Sequence, residues 1–299
     1  MELSVVVSTL NNREQLLSCL DALAERTPPS TEIIVVNGPS SDGTTGVVRE
    51  RDDVDVLIEI SERNAGVSRN AGLEQATGEV VAFLDGEYTI DHSWYGAIDE
   101  EIGDGTNIVT GPVTGGPGGT DLRSPERVSG RTVTRFHGDN VAFERPVLET
   151  LDGFDEYLEG AGERDCAHRA AHLGYEVSWD AAMAARCEVG TDGGRADPDW
   201  GETYRSMAYR LAKNYGPRPS IVVRTGNSAV RDGVAAARRL VSGEATPTDW
   251  FSDGTDVSKN VARGLWDGIR ARYADRSKRR NPNGLSARHD RAVQIYDRR

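Results

Sequence analysis

VVAFLDGE, residues 80–87, is five apolar residues followed at once by Asp85 and Glu87, with a single glycine between the acids. An apolar run of that length, bounded by turn residues, reads as a fully buried strand. On extended backbone, side chains at i and i+2 point to the same side, so both carboxylates aim at nearly the same place. A buried strand that ends this way either turns out into solvent or presents hard oxygen ligands to a cation.

The surrounding pattern favours a ligand edge. LSVVVST (3–9), TEIIVVNG (31–38) and VDVLIEI (54–60) are further apolar strands. Helical patterns separate them. One follows Asn11 and Asn12, with an asparagine as cap and Leu16, Leu17, Leu20 and Leu23 on one stripe; a short one lies in SSDGTTGVVRER, and another in AGVSRNAGLEQAT. SWYGAIDEEIGD continues as helix and NIVTGPV (107–113) as strand. Strands alternating with helices over roughly the first 115 residues predict an α/β fold, with right-handed crossovers and a mainly parallel sheet. Ligands bind such sheets at the carboxyl ends of the strands. Thr9, Asn37, Asp42, Asp85 and Glu87 all stand there. Residues 114–130 are rich in glycine and proline and predict a flap without regular structure. FHGDNVAFER and YEVSWD read as strands, and GERDCAHRAAHLG as an acid-led helix closed by Gly174. Residues 200–216 form a helix rich in aromatic and basic residues.

In this order, STLNN, EIIVVNGPSSDGT, RNAGVSRNAGLEQATGEVVAFLDGE, GDNVAFER, GFDE and GERDCAHRAAHLGYEV resemble the family 2 glycosyltransferases over about residues 3–190. Those are inverting enzymes of GT-A fold. The tail and the NGPSSDGT variant resemble haloarchaeal members that extend dolichyl-phosphate-linked glycans, glucuronosyltransferases among them. The resemblance implies a UDP-sugar donor and a lipid-linked glycan acceptor. It places Thr9, Asn37 and Asp42 near the base, with Asn37 where relatives usually carry aspartate. It places Arg69 on phosphate or ribose, and Asp139 and Asn140 in the sugar pocket. Asp85 and Glu87 match an acidic triplet that holds Mg²⁺ or Mn²⁺, here with one carboxylate fewer. Glu163 stands where the catalytic base lies and Asp165 two residues on; of the two, Glu163 is the favoured base. A histidine that many relatives carry after the last core strand is missing from AARCEVGTDGG, and His137 is a substitute.

The 299 residues hold 35 basic and 48 acidic side chains, net −13, yet only three lysines, Lys213, Lys259 and Lys278. That composition suits a salt-rich cytoplasm and predicts a halophilic source. Residues 1–199 carry net −23 and residues 200–299 net +10. Two basic amphipathic helices are expected in the tail. Arg224, Arg231 and Arg238 repeat in 221–242, and Val261, Leu265, Ile269 and Tyr273 in 258–273. They suit peripheral contact with a membrane or with a second copy of the chain, and 274–290 reads as flexible. The expected division is a GT-A domain over 1–216, split into a nucleotide-binding half (1–113) and an acceptor half (131–190), and an extension over 217–299. No signal peptide or membrane span is expected. Cys19, Cys166 and Cys187 fit no zinc spacing, and the acidic body argues against nucleic acid. Two other functions stay open: a soluble transferase acting on a small molecule or polysaccharide precursor, and a non-catalytic nucleotide-binding subunit.

Overall fold

The computed structural model describes residues 1–115, 122–187, 199–218 and 247–299, with 247–257 described in backbone only. The chain forms two compact units: Met1–Arg127, Arg131–Gly194 and Asn283–Arg299 in the first, Val128–Gly130 and Arg195–Pro282 in the second.

The first unit is built on strands β1 (Leu3–Thr9), β2 (Glu32–Asn37), β3 (Val56–Ile60) and β4 (Val80–Asp85). They pair in parallel in the order β4-β1-β2-β3. Helices α1 (Arg13–Arg26), α2 (Thr44–Val48) and α3 (Ala65–Gln75) make the crossovers. β5 (Tyr88–Ile90), α4 (Trp94–Gly103), β6 (Ile108–Thr110) and β7 (Val113–Thr114) follow, then β8 (Glu126–Val128), β9 (Arg131–Val133) and β10 (Asn140–Glu144). α5 (Arg145–Leu151), α6 (Gly162–Leu173), β11 (Val177–Trp179) and β12 (Ala185–Cys187) complete this part. The expected mixed, mainly parallel sheet is present: β6 and β11 run parallel to each other, and β10 lies antiparallel between β4 and β6. β5, β12 and β7 form a small second sheet.

Alternation along the strands sends side chains to two apolar layers. Val5, Val7 and Leu84 pack with Leu16, Leu20 and Leu23 of α1 and with Trp94. Val6, Ile34 and Phe83 pack with Val67 and Ala71 of α3 and with Phe143 and Phe154. α3 lies close on the sheet because Gly72 has no Cβ; one there would overlap the Val6 side chain.

Two expectations are corrected. The stretch 114–130 is not wholly irregular, because its end enters the β8–β9 hairpin. Ser129 (φ 50°) and Gly130 (φ 83°) supply the two positive φ angles of a tight turn. Residues 116–121 of the expected flap lie outside the described residues. Nor is 274–290 simply a loose tail. Arg291 is fully buried and pairs with Glu74 at 2.7 Å and with Glu156, while Arg288 pairs with Glu62 at 2.6 Å and Glu156 at 2.8 Å. These pairs lead into a strand the sequence did not predict, β13 (Ala292–Asp297), antiparallel to β3.

In the second unit, α7 (Trp200–Tyr215) packs with α8 (Pro247–Ala274). The contact runs through Gly264 and Gly268, where a Cβ would overlap the carbonyls of Arg205 and Tyr209. Val261, Leu265 and Ile269 are half-buried. Tyr273, expected on the same stripe, is 63% exposed. The Arg224–Arg238 repeat lies outside the described residues.

Removing one partner of a buried ion pair leaves the other charge stranded, at about 3–5 kcal/mol. Arg291→Ala is therefore expected to destabilise the chain by that order, and Arg288→Ala, at a half-buried position, by less. Urea unfolding of both variants checks this.

Candidate active site

The antiparallel entry of β10 brings the residues just before it to the carboxyl end of β4. The Asp85 N–H donates to the Asp139 carbonyl at 3.3 Å, and the Gly86 N–H to the Ser8 carbonyl at 2.8 Å. The Glu87 N–H donates to Asp85 Oδ1 at 2.9 Å, closing a turn that keeps the two acids together. Burial pushes the Asp85 carboxyl up to about 7, and the charges of Asp139 and Glu87 add to the rise; the Glu87 N–H and the Arg69 guanidinium oppose it. Arg69, on α3, is almost wholly buried, pairs with Asp139 at 2.8 Å and lies over the Phe154 ring. Asn64 caps α3, accepting from Gly66 N at 2.8 Å and Val67 N at 3.2 Å, and so fixes where Arg69 emerges.

Two cavities open here, and Ala65 lines both. One, of about 200 Å³, is lined by Ser8, Thr9, Gly38, Asn64, Ser68 and Asp85. The Ser68 hydroxyl donates to Ser8 Oγ at 2.8 Å. The other, of about 360 Å³, is lined by Arg69, Arg135, His137, Asp139, Glu163 and Arg164. Arg69 and Glu163 converge over Gly138, where a Cβ would lie 2.7 Å from the guanidinium and 3.0 Å from Glu163 Cβ. Burial holds the His137 imidazole below its usual value, against the pull of Asp139, so the ring is neutral at pH 7. His137 meets the Trp179 ring edge-on at 5.6 Å.

Thr9, Arg69, Asp85, Asp139 and Glu163 line the two cavities. Of the other predicted residues, Glu87 lines neither cavity, and four more do not because other groups occupy them. Asn37 is buried, donating to Thr45 Oγ1 at 3.0 Å and accepting from Ser40 at 2.7 Å. Asp42 accepts from Arg13 N at 3.0 Å and from Thr44 N and Oγ1 at 3.1 and 2.6 Å. It therefore caps α1, the role expected of Asn11 or Asn12. Asn140 is fully buried between the Trp94 indole N–H and the Met183 carbonyl, at 2.8 and 2.7 Å. Asp165 is fully buried in an ion pair with Arg169 at 2.7 Å. Arg169 also holds the carbonyls of Leu151 and Gly153, so Asp165 braces the wall behind the site. Ser8, Ser68, Arg135 and Arg164 were not predicted. Arg135 and His137 flank the GDN motif, the one signal that pointed to them.

Residues 4–151 match glycosyl transferase family 2. These residues are a family 2 glycosyltransferase domain. Glycosyltransferase AglE of Haloferax volcanii is 28% identical over 194 residues, 59% of this chain and 63% of AglE. Glycosyltransferase GlyA of Streptococcus pneumoniae is 31% identical over 104 residues, 34% of this chain and 15% of GlyA. The matches thus span less than two thirds of these relatives. The fold is that of the mannosyltransferase PcManGT from Pyrobaculum calidifontis, solved with GDP-Man and Mn²⁺ (TM-score 0.60, 21% identity, 94% of this chain and 86% of that one). It is also that of Staphylococcus aureus TarS 1-349 with UDP-GlcNAc (TM-score 0.62, 18% identity, 92% of each chain). The domain is therefore GT-A in fold.

The acidic edge of the domain fits a hard divalent cation. Its donors are all oxygen, and the charges of Asp139 and Glu87 beside Asp85 favour a positively charged partner there. Among the described residues no three His, Cys, Asp or Glu side chains make a complete cage, so a cation at Asp85 and Glu87 depends on oxygens of the ligand.

Asp85 has its folded value raised, so its contribution to stability is present in acid and lost as pH rises through about 7. Asp85→Asn is expected to raise the ligand-free Tm at pH 8 by roughly 2–4 °C, the shift that ~1 kcal/mol makes in a domain of this size. At pH 5 the gain shrinks. Melting curves at the two pH values check this.

Proposed function

We propose that this chain is an inverting glycosyltransferase that moves a sugar from a UDP-sugar to a lipid-linked glycan acceptor at the cytoplasmic face of the membrane. The observation that carries the proposal is the convergence of Arg69 and Glu163 over Gly138, beside the Asp85 edge. The smaller cavity, with its serine and threonine hydroxyls, suits the nucleoside, and the larger one the sugar and acceptor. Arg69 offers a guanidinium fork to the diphosphate. Glu163, at the start of α6, takes the proton of the acceptor hydroxyl as it attacks the anomeric carbon from the face opposite the diphosphate. Asp85 and Glu87 would hold Mg²⁺ or Mn²⁺, which supplies charge neutralisation for the leaving group. The UDP-GlcNAc complex of TarS and the Mn²⁺ of PcManGT support a nucleotide-sugar and a divalent cation in this fold. AglE supports a haloarchaeal setting.

Titration calorimetry with UDP in molar KCl tests the donor site. Binding is expected to need Mn²⁺ and to disappear in Asp85→Ala. Glu163→Gln is expected to keep UDP binding while turnover falls by roughly 10²–10⁴, the usual worth of a general base. Unchanged turnover in Glu163→Gln overturns its role.

The membrane contact rests on α8. Arg263, Trp266, Arg270 and Tyr273 follow i, i+3, i+7, i+10 and share one face. Trp266 is 68% and Tyr273 63% exposed. Exposed aromatic rings among cations suit an anionic lipid interface. No described helix is long and apolar enough to cross a bilayer. Co-sedimentation with vesicles containing anionic lipid is expected to pellet the protein, and Trp266→Ser with Tyr273→Ser to release most of it. Dimers in light scattering that the double variant disperses, without vesicle binding, would assign this face to a second copy instead.

A further inference from the structure

The larger cavity collects guanidinium groups in a chain of net charge −13. Two of them are answered: Arg69 by Asp139 at 2.8 Å, and Arg164 by Glu163 at 3.6 Å. Arg135 is not. Its Nε is buried and has no hydrogen-bond partner, and no acid pairs with it among the described residues. Of the other buried guanidinium nitrogens lacking a hydrogen bond, those on Arg13, Arg26 and Arg279 have a carboxylate within 3.3, 3.5 and 3.8 Å, and the fourth, on Arg210, does not line this cavity.

The segment carrying Arg135 is well fixed. The Arg135 carbonyl accepts from the Trp179 indole N–H at 3.0 Å, and Phe136 is buried in the core against Phe143. A charged donor held out of water without a partner costs free energy that a bound anion recovers. A guanidinium recognises one type of partner best, a planar or tetrahedral oxyanion. His137, neutral on the same wall, can donate to it without adding charge.

We infer that the substrates include an oxyanion besides the nucleotide diphosphate, a carboxylate or a phosphate, and that Arg135 binds it in this cavity with Arg164 at the rim. The inference rests on the transferase reading, because Glu163 and its acceptor hydroxyl share this space. The oxyanion has two sources: the carboxylate of the transferred sugar, or a phosphate on the acceptor.

Calorimetry on the full chain and its Arg135→Ala and Arg135→Lys variants separates these cases. The probes are UDP, UDP-glucose against UDP-glucuronate, and a short isoprenyl phosphate against the matching alcohol. In the unaltered chain one anionic probe is expected to bind at least about tenfold tighter than its neutral counterpart, as one charge-assisted contact allows. Arg135→Ala is expected to abolish that preference and leave UDP affinity unchanged. Arg135→Lys keeps the charge but not the fork, and is expected to retain part of it. Preference for UDP-glucuronate assigns the anion to the donor, and preference for isoprenyl phosphate to the acceptor. If UDP binds but neither pair is discriminated, or the preference survives Arg135→Ala, this inference fails alone. If UDP itself does not bind, the transferase reading fails with it.

Discussion

Everything at the ligand edge depends on β10, an antiparallel strand set between β4 and β6 inside a mainly parallel sheet. Parallel strands bring only their carboxyl ends to that edge. β10 brings its beginning, so His137, Gly138 and Asp139 arrive where β4 finishes. Two acids from distant parts of the chain are thereby forced together, and Asp85 cannot ionise cheaply. A proton, the nearby Arg69 or a bound cation must offset the charge. The fold thus stores an unfavourable arrangement that a positively charged partner relieves.

The residues behind this edge work as supports. Arg69 and Asn70 are neighbours on α3 with different tasks. Arg69 reaches the cavity, while Asn70 accepts from Phe154 N at 2.9 Å and donates to Phe154 O at 2.9 Å and Glu156 at 2.7 Å. The 152–156 loop is held from the other side by Arg169, which grips the Leu151 and Gly153 carbonyls. The C-terminal segment closes the ring: Ser286 binds Asp152, and Arg288 and Arg291 bind Glu156. Glu156 therefore links α3, the loop and the chain's last strand, and the wall bearing Arg69 is fixed by residues far away in sequence.

The ends of strands were legible because burial leaves few reasons for a polar residue there. That argument found Thr9 and Asp85. It overreached at Asn37 and Asp42, as the resemblance did at Asn140; these three meet needs that no spacing displays: turns, a helix start and an indole N–H. Asp165 and Glu163 share one helix turn, and only packing shows that Arg169 takes one and the cavity the other. β13 was not legible, because AVQIYD is partly exposed and short, and its docking depends on the buried Arg291. Alternation had nothing to report.

The glycine between Asp85 and Glu87 can be understood in the same terms. Gly86 gives its N–H to the Ser8 carbonyl at 2.8 Å, and a Cβ there would stand 3.1 Å from Leu16 Cδ1 and 3.3 Å from that carbonyl. A larger residue would press on the β1–α1 core, so a third acid has little room in the turn. The carboxylate missing from the sequence motif has a spatial counterpart in Asp139, close enough to raise Asp85. Asp139 is held by Arg69 at 2.8 Å, so its charge is shared between the guanidinium and the acidic edge. Any group that drew Arg69 away would leave the Asp139 charge wholly to the acidic edge, so the cavity wall and that edge are linked through a single ion pair.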